Sequence, residues 1–251
     1  MTTSRALAWS LGWPAGQVPA DYVLGGVRAV LPSAVVDDAR VVVRDGLIAE
    51  VGLAPAGAAA DLDGRGLLCV PGLIDVHSDA LEKERAPRPG VHLPWGFAVT
   101  SLEGTMSAAG ITTAFHGAGF QDKLAGALTR SVRAAIEVCS AVTERSLAPS
   151  PLVRHRILYR LDARAPEGAA ALAEALEAHP AHAESLPLVS HEDHTPGQGQ
   201  YADRRYMERY VAGSRGLSEA EAERQGDSAR AILLRRALEA EQMTVGRAAP
   251  R

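Results

Sequence analysis

The sequence predicts an α/β fold: an incomplete TIM-like (β/α) barrel of about four to five of eight units, preceded by a small antiparallel β segment. Three observations carry that expectation. Short β-branched runs broken by turn residues fill residues 21–65. From Leu67 onward, continuous apolar runs alternate with helix-forming stretches. The 251 residues leave space for four or five βα units, whereas a complete barrel takes roughly 250 by itself. The expected plan is a leader at 1–20, a β-sandwich-type segment at 21–65, a partial barrel at 66–245 and a tail at 246–251.

Residues 1–20 hold an apolar patch at 6–13, but Ser10 and Gly12 interrupt it and no cleavage pattern follows, so it reads as a leader. From Tyr22 to Leu53, alternating apolar runs flank Asp45-Gly46. That pair signals a two-residue hairpin, because a type I′ turn needs positive φ at both positions. Residues 54–63, rich in Ala, Pro and Gly, form a connector.

The run through residues 67–76 then reads as one strand buried on both faces, the sign of a parallel sheet. Further strands are expected at 111–115, 156–161 and 186–190. Leu124, Leu128, Val132, Ile136 and Cys139 recur at helical spacing, and 167–177 is rich in Ala and Leu. Ser218-Glu-Ala-Glu221 fits a capping box opening a helix that runs to about Glu241, and 243–245 suits a fifth strand.

The net charge of -4, with both signs interspersed, gives no footprint for nucleic acid or an anionic membrane. No apolar run approaches the roughly 18 residues of a membrane span. Cys69 and Cys139 are far apart and fit two buried thiols in a reducing compartment. A cytoplasmic protein is expected.

The strongest chemical constellation is His77-Ser-Asp79, directly after the strand at 70–76, where βα barrels place functional groups. Alternation points both side chains the same way, so imidazole and carboxylate can reach one divalent ion. A strand-end histidine bonded to a carboxylate fits the same residues. A second cluster, His191-Glu-Asp-His194 running on to Gln198, packs ligand types into a loop tightened by Gly and Pro, and reads equally as a polar surface loop. Asp162, at the end of the third strand, reads as a barrel-top carboxylate or a helix cap. Lys83, Arg85 and Arg88, and later Arg204 and Arg205, are cations of the kind that suit phosphate, or a solvated face. His116, His155, His179 and His182 carry no functional reading.

Residues 70–79, Val-Pro-Gly-Leu-Ile-Asp-Val-His-Ser-Asp, resemble the first-strand signature of the metal-dependent amidohydrolase superfamily in its His-x-Asp form. Residues 81–90, 109–113 and 193–198 are similar, in the same order, to the diphosphatases of phosphonate catabolism; the resemblance runs from about Tyr22 to Glu219. It implies hydrolysis of a ribosyl alkylphosphonate triphosphate, α-D-ribose 1-methylphosphonate 5-triphosphate, to the 5-phosphate and pyrophosphate. It also implies one or two divalent ions, zinc first and manganese or iron as alternatives. His77, Asp79 and His194 become metal ligands, with Asp162 bridging. Lys83, Arg88 and Gln198 become substrate contacts.

The chain departs from that pattern in places. Ligands from later strands, including a last-strand aspartate that orients water, are absent, so no catalytic base is assigned. His116 stands where an acid is common and His191-Glu192 where the family is apolar, and the text after Arg224 diverges as a shifted frame or early end would. A non-catalytic remnant that self-associates through exposed half-barrel edges remains an alternative. So does an amidohydrolase acting on C–N bonds, although the His-x-Asp form and the Pro-Gly-Gln loop oppose it.

Overall fold

Asp45 and Gly46 take φ of 51° and 74°, the pair of left-handed residues that the hairpin requires, and set the register Arg44 opposite Leu47. The computed structural model describes residues 18–192 apart from 54, 56, 57, 89, 122, 126, 127, 163, 164, 166 and 179–185, with scattered positions up to 224. It divides into two compact units, between Gly72 and Leu73.

In the first unit β1 (Tyr22–Val30), β2 (Val35–Arg44) and β3 (Leu47–Leu53) form an antiparallel meander. Two short strands, β4 (Leu62–Asp63) and β5 (Leu68–Cys69), run parallel to β1. The strands thus make a mixed sheet around Val27, Ala29, Ala39 and Val41.

One strand was expected through 67–76, but the chain makes two. β5 pairs with β1, whereas β6 (Leu73–Ser78) opens the second unit. Pro71 lies between them, and without an N–H it cannot carry a ladder onward. Nor is β6 buried on both faces. Leu73, Ile74 and Val76 are each more than half exposed, because among the described residues β6 is an edge strand paired only with β7 (Ile111–Phe120).

The second unit follows the βα alternation. After β6 come α1 (Ala80–Arg85) and α2 (Trp95–Ala108), then β7. A hairpin of β8 (Lys123–Ala125) and β9 (Leu128–Arg130) leads to α3 (Val132–Leu147), followed by β10 (Arg154–Asp162), α4 (Gly168–Ala178) and β11 (Leu188–Glu192). The described sheet is parallel, in the order β11-β10-β7-β6, the strand sequence of the opening units of a (β/α) barrel. Among the described residues no helix is long and apolar enough to cross a membrane.

The helical spacing of 124–139 misleads at its start. Ser131 Oγ accepts from Ala134 N at 3.2 Å and caps α3, so the helix begins at Val132 while Leu124 and Leu128 sit in the hairpin. α2 escapes a propensity reading, since Gly96, Thr100, Gly104 and Thr105 are poor helix formers. Its stripe of Ala98, Val99, Leu102 and Met106 nonetheless packs into the core with Ala114, Phe120, Val138, Val142 and Tyr159. The capping box forms: Glu221 N donates to Ser218 Oγ at 3.4 Å, and Ser218 N to Glu221 Oε2 at 2.9 Å. The expected helix to Glu241 and the strand at 243–245 lie outside the described residues.

Glu103 is the polar pin of this core. Buried on α2, it accepts from Arg145 of α3 at 2.6 and 3.0 Å, from Leu152 N at 2.7 Å and from the His155 Nε2–H of β10 at 3.2 Å. Burial alone would raise its carboxyl, but these donors outweigh burial and hold it below the ordinary glutamate value. With Nε2–H given to Glu103, the Nδ1 of His155 accepts from the His116 Nε2–H at 2.8 Å. Both rings are therefore neutral, and the Nδ1 of His116 is buried without a partner.

Burial, reinforced by the His155 ring, pushes His116 down from 6.5 to about 4, with Asp75 opposing; burial also lowers His155. The unfolded chain takes up these protons near 6.5 while the fold excludes them, so this stability is complete above about 6.5 and declines as pH falls toward about 4. The slope is roughly 1.4 kcal/mol per pH unit for each such ring. Urea midpoints should therefore drop between pH 7 and pH 5, and drop less in His116→Asn. A midpoint independent of pH would contradict the neutral pair.

Candidate metal centre

The faces of the parallel strands divide the chemistry. Along β7 and β10, His116, His155, Ile157 and Tyr159 face the helices. The opposite face carries Gly117 and Gly119 of β7, Leu158, Arg160 and Asp162 of β10, and Ser190 and Glu192 of β11. Their register aligns Arg160 with Gly119 and Ser190, and Asp162 with Glu192. The carboxyl ends of these strands therefore form a polar rim.

His77 and Asp79 stand at that rim and come together, with Nε2 of His77 3.8 Å from Oδ1 of Asp79. Asp79 has left the strand, at φ -97° and ψ 7°, to stand immediately before α1. Its carboxylate is already engaged. The Nη1 of Arg160 donates to Oδ1 at 2.5 Å, and the Nε of Arg160 donates to Glu192 Oε1. Arg130 adds a second guanidinium, 3.7 Å from Oδ2 of Asp79 and 2.5 Å from Glu82 of α1.

Only 7% of the Arg160 side chain is exposed. A buried guanidinium left unpaired would cost several kcal/mol, so its two carboxylates are obligatory. Gly117 makes space for the pair. A Cβ there would stand 2.9 Å from both Arg160 Cδ and Asp79 Oδ1.

The other expected site residues separate. Asp162 is buried at the end of β10 opposite Glu192, and α4 begins only at Gly168. Lys83 and Arg88 are exposed, and Arg85 lies over the Trp95 ring at 5.0 Å. From α1 it is Glu82 that reaches the cluster. His194, Gln198 and Arg204 lie outside the described residues. Gln121, with both amide atoms, and the Ser190 hydroxyl are buried without hydrogen-bond partners, leaving polar capacity at this end of β7 and β11.

Sequence reasoning missed Arg130, Arg160 and Glu82, and read Glu192 only as part of the polar cluster at 191–194. Arg160 had one local signal: it alternates with Asp162 on the face that Leu158 occupies. Arg130 was hidden inside the expected helix.

Among the described residues no group of three or more His, Cys, Asp or Glu is placed to hold a divalent ion; His77 and Asp79 supply two donors, and Oδ1 of Asp79 also accepts from the Arg160 guanidinium.

No protein-family model matches the chain. Over 199 residues it is 28% identical to the α-D-ribose 1-methylphosphonate 5-triphosphate diphosphatase of Escherichia coli (strain K12), spanning 79% of this chain and 50% of that enzyme. The chain is similar to this diphosphatase. It spans about half the length of the curated relative that it matches. Among solved structures, atrazine chlorohydrolase from Arthrobacter aurescens is 16% identical, with a TM-score of 0.39 over 81% of this chain and 58% of that one. An adenosine deaminase from Xanthomonas campestris with bound zinc is 15% identical, with a TM-score of 0.38 over 83% and 55%. These structural likenesses are loose.

Gly117→Ala tests the rim directly. The added methyl must displace Arg160 or Asp79, so the urea midpoint should fall by the equivalent of about 1–3 kcal/mol. An unchanged midpoint would show that the pair does not occupy this space.

Proposed function

We propose that the chain is part of a metal-dependent hydrolase of phosphoric anhydrides. Its substrate would be a ribosyl alkylphosphonate triphosphate, cleaved to the 5-phosphate and pyrophosphate. The observation that carries the reading is the convergence of His77 and Asp79 at the carboxyl end of the first parallel strand, in a chain similar to a diphosphatase. A bound divalent ion, zinc before manganese or iron, would supply Lewis acidity and lower the pKa of its water toward neutrality. His77, Asp79 and His194 would be its donors, with Asp162 as a further carboxylate.

The chain's own residues set the terms of binding. His77 is half exposed and so open to an ion. Arg130 and Arg160 are cations already in place beside Asp79, where a polyphosphate bound to the metal would place negative charge. Lys83 and Arg88, exposed after the first strand, and Gln198 complete the substrate contacts in this reading. It belongs in the cytoplasm, where nucleotide-like triphosphates are made and used. Self-association through the open edge of β6, where Leu73, Ile74 and Val76 are exposed, is part of the same proposal.

The test is pyrophosphate release from the ribosyl phosphonate triphosphate, using protein sized by chromatography. Release should require a divalent ion, disappear with chelator, and fall roughly 100-fold or more in His77→Ala. Release equal in wild type and His77→Ala would reject the hydrolase reading. Zinc-dependent deamination without pyrophosphate would favour an amidohydrolase of C–N bonds, and inactivity at every metal would favour a non-catalytic module. A strictly single-copy species would remove the self-association part.

A further inference from the structure

Two glycines of β7 and the glutamine just beyond it share one face. Gly117, Gly119 and Gln121 alternate onto the side of the sheet that carries Arg160, where Gly119 stands beside Arg160 in register and Ser190 stands on the other side of it. At the strand end the Gln121 N–H turns back and donates to the Gly119 carbonyl at 2.9 Å. The side chain folds back as well, since a Cβ on Gly119 would stand 2.6 Å from Gln121 Nε2. The missing side chain at 119 is what admits the amide to this face.

Gln121 is 1% exposed, and neither polar atom of its amide meets a partner among the described residues. The Ser190 hydroxyl is buried and unmatched in the same way. Between them Arg160 is engaged by Asp79 and Glu192, so the hydrogen-bonding groups left over on either side of it are uncharged. Asp79 is 39% exposed, and the strip opens to solvent at that end. An amide left buried and unmatched is costly, and an apolar side chain of similar volume would remove the cost. The amide also has a definite complement. It sets an acceptor beside donors, the pattern that a cis-diol meets when one hydroxyl donates to Oε1 and its neighbour accepts from Nε2.

We infer that the Gln121 side-chain amide is a specificity contact at the carboxyl end of β7, recognising the vicinal hydroxyls of a ribosyl ring in the substrate. The Ser190 hydroxyl, across Arg160, is a second uncharged group on the same strip. The choice of a ribosyl ligand rests on the hydrolase reading above, whereas the contact itself requires no metal.

The test is a metal-free titration of the isotope-labelled full chain with ribose 5-phosphate and with 2-deoxyribose 5-phosphate. It is followed by NMR on the Gln121 side-chain amide, whose resonance is identified by its loss in Gln121→Met. That resonance should move saturably with ribose 5-phosphate, and the deoxy sugar should bind about 10-fold more weakly. Gln121→Met should bind the two sugars equally. Equal wild-type affinities, an amide resonance unmoved at saturation, or binding of neither sugar overturns the inference. So does a Gln121→Met protein that still discriminates between the sugars, which is the result expected if a structural water is the amide's partner.

Should Gln121→Met fail to fold, the two wild-type affinities decide alone. Pyrophosphate release by a chain that does not discriminate between the sugars overturns this inference and spares the hydrolase reading. Discrimination by a chain that releases no pyrophosphate removes the hydrolase reading and upholds Gln121 as a sugar contact.

Discussion

Arg160 between Asp79 and Glu192 is the constraint around which the open end of the parallel sheet is arranged. The pair spans 81 residues of sequence on one side and 32 on the other. It forms only if β6, β7, β10 and β11 hold one register. A slip of one residue would turn Arg160 into the helix-packed core, where no carboxylate of the rim could follow it. The absent side chain at Gly117 is part of the same constraint, since Arg160 crosses β7 at that point.

The opposite face of the same strands solves a different problem. There, Glu103 gathers Arg145, His155 and two backbone amides into a dry core, and the His155 ring is fixed in one tautomer that receives His116. β10 therefore carries a neutral imidazole inward at 155 and a paired guanidinium toward the rim at 160. Burial permits both because the two ring nitrogens of His155 and the Nε and Nη1 of Arg160 each meet a partner. Besides His116 Nδ1, the unmatched atoms include the Gln121 amide and the Ser190 hydroxyl, which lie toward the carboxyl ends of β7 and β11.

Much of the scaffold could be read from local pattern. The Asp45-Gly46 turn, the strands at 111–115, 156–161 and 186–190, and the helix at 167–177 all appear, because alternation, turn chemistry and helix propensity are local signals. Boundaries moved where one residue overrode the pattern: Pro71 divided a strand, and Ser131 delayed a helix. The site was legible only in part. His77 and Asp79 announce themselves by spacing after a strand. Arg160, Arg130, Glu82 and Glu192 acquire meaning through partners dozens of residues away, and no window of sequence contains such a pair. Lys83 and Arg88 read as phosphate contacts by proximity in sequence, whereas the cations that approach Asp79 come from β9 and β10.

The central claim, that Asp79 and Arg160 act as one unit, is tested most directly by a double-mutant cycle on urea unfolding with Asp79→Asn, Arg160→Gln and the combination. A coupled pair should give an interaction energy of about 1 kcal/mol or more, with the second substitution costing far less once the first is made. Additivity within about 0.5 kcal/mol would mean that the two side chains do not meet in solution, and the account of the rim would fail with them.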